Sequence, residues 1–466
     1  MNLVNTEKKQ SSSRPLKRAK TGLETEMHVI NSKGKISYKG LELIDAVKKQ
    51  FPEVEIVKEC GQNMIEFGTY PDINAYNPAL EILESIEKTI KVAKKLNLRI
   101  YPFATYPGKI EEKLTSSDGL YKIQEKIFGK EKFSYAVKAV GFHNHYTMPK
   151  GVFDFEKKDL KLLVNSKLKR SLLHSYNFLI AIDPILTLFT QSSPFFENTL
   201  LAKDSRMLIY RGGKKLAYPG LYSNTQQLGG LPPYKQTATD LIRSLSRRQL
   251  RWKKLVKNVS PKFDFDKKYP NKLIISWNPV KVNRHGTLEQ RGMDMNYISI
   301  VLACSALIKF ALRKIQRDFI EVLPADAGIK NPFKINNGIM FIPPHTHVRV
   351  KLQKASAYEG FENDELYSYT KSFMKFIKPL MPDFYKPLIK KIDLMIKKRK
   401  STSDEIIAYA IRNELLSKYE TITDKGASKI ALHFSKKFEK DLEKTKKIVM
   451  NIMSAHQVIK NNLALK

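Results

Sequence analysis

The chain has 466 residues, 42% of them hydrophobic, and sets 82 lysines and arginines against 46 acidic residues for a net charge of +36. That length and apolar content supply one large core or two to three domains, so disorder is excluded as the default state. Cys60 and Cys304, far apart and outside any CxxC, exclude a disulfide framework and a cysteine-based zinc site, and Cys60, next to Glu59, reads as a buried inert thiol rather than a redox-sensitive one.

Residues 1–20 read as a flexible basic arm, with serines and the run Lys17, Arg18, Lys20 but no apolar stretch of a secretory signal. TGLETEMHV then reads as a strand, KGLELIDAVKKQF as a helix and KECGQNMIEFGTY as a strand. NPALEILESIEKTIKVAKKLNL has helical spacing, with Asn77 as N-cap before Pro78. RIYPFATYPG predicts strand and turn, 121–128 a helix, and VKAVGFHNHYTM the next strand. The segment 155–189 predicts mostly helix, kinked or ended by Pro184. Its longest apolar run, HSYNFLIAIDPILTLF, is broken by Asp183 and Pro184, short of the roughly 18–20 apolar residues that span a bilayer. No membrane partner is expected, and the expected location is the cytoplasm.

From Gln191 to Leu231 the chain is rich in Ser, Pro, Gly and aromatic residues without periodicity, a pattern of loops that cover a site. A helix around TATDLIRSLSRRQLRW, strands at KLIISWNPV and GTLEQRGMD, and a helix through ISIVLACSALIKFALRKIQ follow; beyond Pro343 the pattern is mostly helical. Strands early and helices late predict an α+β fold with an antiparallel or mixed sheet whose open face is the site. The expected organisation is the arm 1–20, a catalytic α+β domain 21–342 and a mostly helical C-terminal region 343–466 packed on it.

Alternate strand residues share a face. Glu24 and Glu26 are in step, as are His143 and His145, and Glu289 and Arg291; Glu59, Gln62 and Glu66 crowd a further segment. Burying even a neutral polar group costs roughly 2–7 kcal/mol unless it is paired, and a cation relieves such a cost. Carboxylates, an amide oxygen and imidazoles suit Mg²⁺ or Mn²⁺ better than zinc, so this face reads as a divalent-cation and phosphate site. The plainer alternative is a set of half-exposed strands with solvated charges. The excess of lysine adds a charge-driven, incidental contact with nucleic acid, since no RNA-recognition, zinc-finger or helix-turn-helix pattern accompanies it.

In order along the chain, TGLETEMHVIN, LIDAVKK, NMIEFGTYPDIN, GFHNHYTM, SSPFF followed by DSRM, and GTLEQRGMD resemble the type 2 glutamate-cysteine ligase or carboxylate-amine ligase family. The resemblance runs from Thr21 to Lys309, with a weaker echo in VKLQKASAYEGFEND. It implies the glutamine-synthetase-like catalytic fold: a curved, mainly antiparallel sheet flanked by helices, with ATP, divalent metals and an amino acid on its open face. It implies an ATP-dependent ligase that phosphorylates the γ-carboxylate of glutamate to an acyl phosphate, from which an amine, foremost that of cysteine, displaces phosphate. Another amine or amino acid is the alternative acceptor, and the one assembly left open is a homo-oligomer.

Carried over residue by residue, the resemblance makes Glu24, Glu26, Glu59, Gln62, Glu66, His143 and Glu289 metal ligands, and gives His143, His145 and Arg291 to the nucleotide. Arg206 and Arg291 become the catalytic cations for the substrate carboxylate or the transferring phosphate, because guanidinium binds such groups bidentately. The chain departs from its relatives at Gln62, often a carboxylate there, at FENTLLAKD in place of a glycine-rich run, and at HNHYT. Ser193 has no local histidine or acid and reads as a turn residue rather than a nucleophile, and His345 and His347 read as a strand or substrate-rim pair. A degenerate relative that binds nucleic acid or an acidic partner is the second reading.

Overall fold

The computed structural model describes residues 19–115, 119–161 and 166–464, so most of the arm 1–20, with Lys17 and Arg18, lies outside the described residues. Seven strands form one sheet: β1 (Thr21–Asn31), β2 (Ile56–Lys58), β3 (Met64–Gly68), β4 (Leu98–Tyr101), β5 (Gly141–Thr147), β6 (Val280–Asn283) and β7 (Thr287–Asp294). Their order is β6-β7-β5-β1-β3-β2, with β4 also paired to β1, and every pairing is antiparallel. The α+β expectation with an antiparallel sheet and a helical C-terminal region holds.

Period-two patterning assigns the faces. Leu23, Met27, Ile65, Phe67, Phe142 and Leu288 turn to the core, while Glu24, Glu26, Glu66, His143, His145 and Glu289 alternate with them. The core face is covered by α1 (Gly40–Gln50) and α2 (Tyr76–Lys95) toward β2, β3 and β1. Further along the sheet, α4 (Lys167–Thr190) packs on β6 and β7, and α7 (Ile298–Arg317) on β5. Between them in sequence lie α3 (Gly119–Phe128), α5 (Ser205–Arg211) and α6 (Ala238–Val259), the last opened by a capping box of Thr237 and Asp240.

Several expectations are corrected. Helix α2 begins at Tyr76 after Ala75, so Asn77 lies inside its first turn and caps nothing. The stretch after Phe153 is a hairpin, Phe153–Asp154 with Asp159–Leu160, because the Asp154 carboxylate takes the N–H groups of Glu156 and Lys157 and turns the chain. Pro184 does not end α4, which runs unbroken to Thr190. Complete burial of its second half outweighs the lost backbone donor, and the Tyr369 hydroxyl donates to the Ala181 carbonyl in that turn at 3.0 Å. This helix is long and apolar enough by length and composition to cross a bilayer, contrary to the reading from Asp183 and Pro184, yet its apolar window is wholly buried inside the protein.

KLIISWNPV is not a strand: Asn271 caps a 3₁₀ turn at Lys272–Ile274, and β6 starts only after Pro279. A small sheet that the sequence reading lacked pairs Glu321–Pro324 in parallel with Ile339–Ile342. His345 and His347 sit in a helical turn, not a strand; His347 pairs with Glu365 at 2.9 Å and His345 packs against Tyr234. The C-terminal helices include α8 (Asp364–Ile377), α9 (Lys386–Lys398), α10 (Thr402–Arg412) and α11 (Asp424–Ala464), and one hydrophobic cluster runs from Leu23 to Ile452.

Candidate active site

The open face of the sheet floors a cavity of about 430 Å³. Register brings the charged residues together: Glu24 lies opposite His143, Glu26 opposite Glu66, and Glu289 opposite His145 on one side and Lys281 on the other. Two groups of donor atoms result, Glu24 with His145 and Glu289, and Glu26 with Glu59 and Glu66, each drawn within 4.8 Å. His143 links them, its Nδ1 3.1 Å from Glu24 and its Nε2 3.5 Å from Glu26.

The electrostatics of the two groups differ. Burial opposes ionisation of Glu24, but hydrogen bonds with His143 and His145 outweigh it and hold this carboxyl well below the usual range. Glu289 is likewise held low against its burial by Lys281 at 3.3 Å and Arg291 at 3.2 Å. In the other group, burial and the neighbouring Glu59 push Glu66 well above an ordinary carboxylate, and burial raises Glu26 although His143 opposes it. Among the described residues no lysine or arginine forms an ion pair with Glu59 or Glu66. Three crowded carboxylates, all oxygen donors, of which Glu26 has Arg206 and Arg291 as cationic neighbours, fit a hard divalent cation.

Backbone placement fixes these side chains. The Glu26 carboxylate accepts the N–H of Gly141 at 2.6 Å, and Glu59 accepts that of Cys60 at 2.9 Å. Arg206 is carried by the first turn of α5, whose N-cap Asp204 accepts from Met207 at 2.8 Å. Its guanidinium donates to the Met293 carbonyl at 3.2 Å and lies over Tyr210, a cavity residue. A Cβ at Gly141 would collide with that guanidinium, so glycine permits the approach. Arg291 lies in a bulge between Gln290 and Met293 and reaches the cavity beside Glu289.

Of the candidate residues, Glu24, Glu26, Glu59, Glu66, His143, Glu289 and Arg291 line the cavity, and His145 joins the first donor group behind them. Arg206 does not line the cavity; it is buried on the same face of the sheet beside Gly141, near enough to Glu26 to favour its ionised form. Gln62 is not brought to the site: its amide nitrogen donates to the Leu114 carbonyl at 3.0 Å, and it does not line the cavity. Ser193 is a buried structural residue, its hydroxyl donating to Asp294 at 2.6 Å. Cys60 lines the cavity, with its thiol pushed up to about 12 by burial and Glu59, which keeps it protonated.

The sequence reading missed Lys281, Asn283, Arg284 and His285, all on or beside the β6–β7 turn, and an aromatic wall of Tyr222, Trp277 and Phe128. Lys281 and Asn283 are in step with each other across a three-residue turn from Thr287, a signal hidden because the strand was read as KLIISWNPV, which stops at Val280. The wall comes from the end of α3 (Phe128), from the segment 191–231 (Tyr222), as expected of a site-covering loop, and from the stretch between the 272–274 turn and β6 (Trp277); Tyr222 and Trp277 stack at 5.9 Å.

Residues 20–160 match the sequence model of Glutamate-cysteine ligase family 2 (GCS2), which bears out over that stretch the resemblance drawn from the motifs. No curated protein matches the chain. Among solved structures, the fold is similar to a bifunctional glutathione synthetase from Pasteurella multocida, with a TM-score of 0.53 at 12% identity over 90% of this chain. The chain spans 52% of the length of that protein. A glutamate-cysteine ligase from Francisella tularensis in complex with AMP aligns over 94% of both chains at 12% identity and a TM-score of 0.49.

Proposed function

We propose that the protein is an ATP- and Mg²⁺-dependent carboxylate-amine ligase, and that its reaction joins the γ-carboxylate of glutamate to the amine of cysteine. The observation that carries this reading is the pair of three-residue donor groups linked by His143 on the floor of one cavity, with Arg291 beside them. The family match over residues 20–160 supports it independently. Ligation through a phosphorylated carboxylate brings anionic oxygens together, and cations offset their repulsion.

Glu26, Glu59 and Glu66 would hold one Mg²⁺ or Mn²⁺, and Glu24, His145 and Glu289 another. Bound there, divalent ions supply charge neutralisation to the phosphates. The chain's own residues do the rest. His143 keeps Glu24 ionised and orients it. Arg291, raised above its ordinary value by Glu289 and Glu26 against its burial, stays cationic and offers its remaining N–H groups to a phosphoryl or carboxylate oxygen. Tyr222 and Trp277 present apolar faces that suit a planar base and exclude water from one wall.

The test is Mg²⁺-dependent phosphate release from ATP with glutamate and a panel of amines, with products weighed by mass spectrometry. Release that rises with cysteine, and a γ-glutamylcysteine product, is the expected result. Turnover with another amine keeps the ligase and changes its acceptor. Silence across the panel, with polyanion binding that survives replacement of Glu24 and Glu26, would hand the chain to the nucleic-acid reading.

A further inference from the structure

The two donor groups are not equivalent, because one already contains its own cation. Lys281 on β6 is buried opposite Glu289 and places its ammonium 3.3 Å from the carboxylate. Arg291 reaches the other oxygen at 3.2 Å, and the Asn283 amide also donates to Glu289. Three N–H donors therefore occupy the oxygens that a metal would use. The charges agree: Glu24 and Glu289 face Lys281 and Arg291 and are balanced as they stand. Glu26, Glu59 and Glu66 have no lysine or arginine ion pair among the described residues.

A divalent ion added to the first group leaves an excess of two positive charges, whereas one added to the second meets three carboxylates whose negative excess Arg206, beside Glu26, offsets only in part. Charges this close in a water-poor site interact far more strongly than the same charges in bulk water, so the imbalance decides which group fills. Lys281 also lines the cavity, so its flexible stem lets the ammonium turn from Glu289 toward an anion bound there.

We propose that Lys281 is a built-in counter-cation of Glu289, through which the Glu24–His145–Glu289 group takes a divalent ion only together with a polyphosphate ligand, while Glu26–Glu59–Glu66 takes one unaided. The proposal rests on the ligase reading and adds to it an order of loading and a residue that enforces it.

The experiment is a Mn²⁺ titration followed by electron paramagnetic resonance, on the wild-type protein with and without the non-hydrolysable analogue adenylyl imidodiphosphate, and on Lys281→Met and Lys281→Arg. Wild type is expected to bind a single Mn²⁺ alone and a second one with the analogue. Lys281→Met should bind both without it and hold the analogue about tenfold more weakly, and Lys281→Arg should restore the single-ion behaviour. Retention of the first ion reports that each variant is folded. Two ions on the wild type alone, or a Lys281→Met protein that still needs the analogue for its second ion, would overturn the role of Lys281 and leave the ligase reading standing. No Mn²⁺ bound under any condition would sink both.

Discussion

Glu66 shows how far a single side chain here departs from what stability alone would select. Burial and Glu59 raise it above the ordinary 4.5 of a carboxyl, so between that value and its raised one the folded, metal-free protein binds a proton that the unfolded chain has released. Its stability contribution therefore falls as pH rises through that window, and Glu26 acts in the same direction. Glu24 and Glu289 act oppositely and in a different window: their depressed values add stability that is present above 4.5 and lost on acidification below it. Thermal melts in chelator are expected to show Tm declining as pH rises above about 4.5, with Mn²⁺ restoring it most at the high end. Glu66→Gln should flatten that decline and stabilise the metal-free protein, a tenfold change in proton affinity being worth about 1.4 kcal/mol, while weakening metal binding. A Glu66→Gln protein with the wild-type pH slope would show that this carboxylate is not the source. The identity of these residues was legible in the sequence, since period-two spacing puts Glu24 with Glu26 and His143 with His145. Their partition into an unneutralised and a neutralised group was not, because it depends on Lys281 across a hairpin and on Gln62 turning away to Leu114.

At the level of elements, the bulge of β7 that delivers Arg291 is anchored from behind. Gln290, on the core face, donates to Asp183 of α4 at 2.9 Å, and Arg211 at the end of α5 donates to Asp183 at 3.0 Å and to the Gly292 carbonyl at 3.3 Å. Gly292 has no room for a Cβ against this pair. Asp183 was read from sequence as an interruption of an apolar run. It is instead fully buried, and its partner lies in a stretch without periodicity, so nothing local could announce the pairing. The same limit explains Pro184, where local propensity argued for a helix end and tertiary burial overrode it. Arg211→Met leaves Asp183 charged, buried and short of a partner, and is expected to cost about 3–5 kcal/mol in denaturant unfolding. The double variant Asp183→Leu with Arg211→Met should recover much of that stability. Its turnover should remain low, since β7 then loses the contacts that hold Arg291 in the cavity. Full activity in the double variant would show that the bulge holds itself.

Across the whole molecule, α11 ties the C-terminal region to the elements beneath the site. Its apolar face sends Ile430, Phe434 and Phe438 fully into the core, with Phe434 5.3 Å from Phe103 after β4. Two of its acids, which the lysine-rich sequence obscured, point inward: Glu439 pairs with Arg99 of β4 at 2.7 Å, and Asp441 accepts from the Ser299 N–H at 3.0 Å and from its hydroxyl at 2.7 Å. Ser299 is in the first turn of α7, where Tyr297 offers no side-chain cap, so Asp441 caps that helix from 142 positions away. Lysines on the outer face of α11 remain solvated, and the amphipathic reading of the sequence accounts for them. One hydrophobic cluster has members on both sides of residue 343. Residues 19–342 expressed alone would expose the faces of α2, β4 and α7 that α11 covers. Within the full chain, Phe438→Ala is expected to cost about 3–5 kcal/mol, and Asp441→Ala about 0.5–2 kcal/mol through the lost cap. Both should lower Tm without changing the Mn²⁺ stoichiometry, because neither touches the cavity. The fragment should bind no Mn²⁺ and be cut rapidly in limited proteolysis; a protease-resistant fragment that holds the metal would establish 19–342 as an independent folding unit and reduce α11 to an attachment.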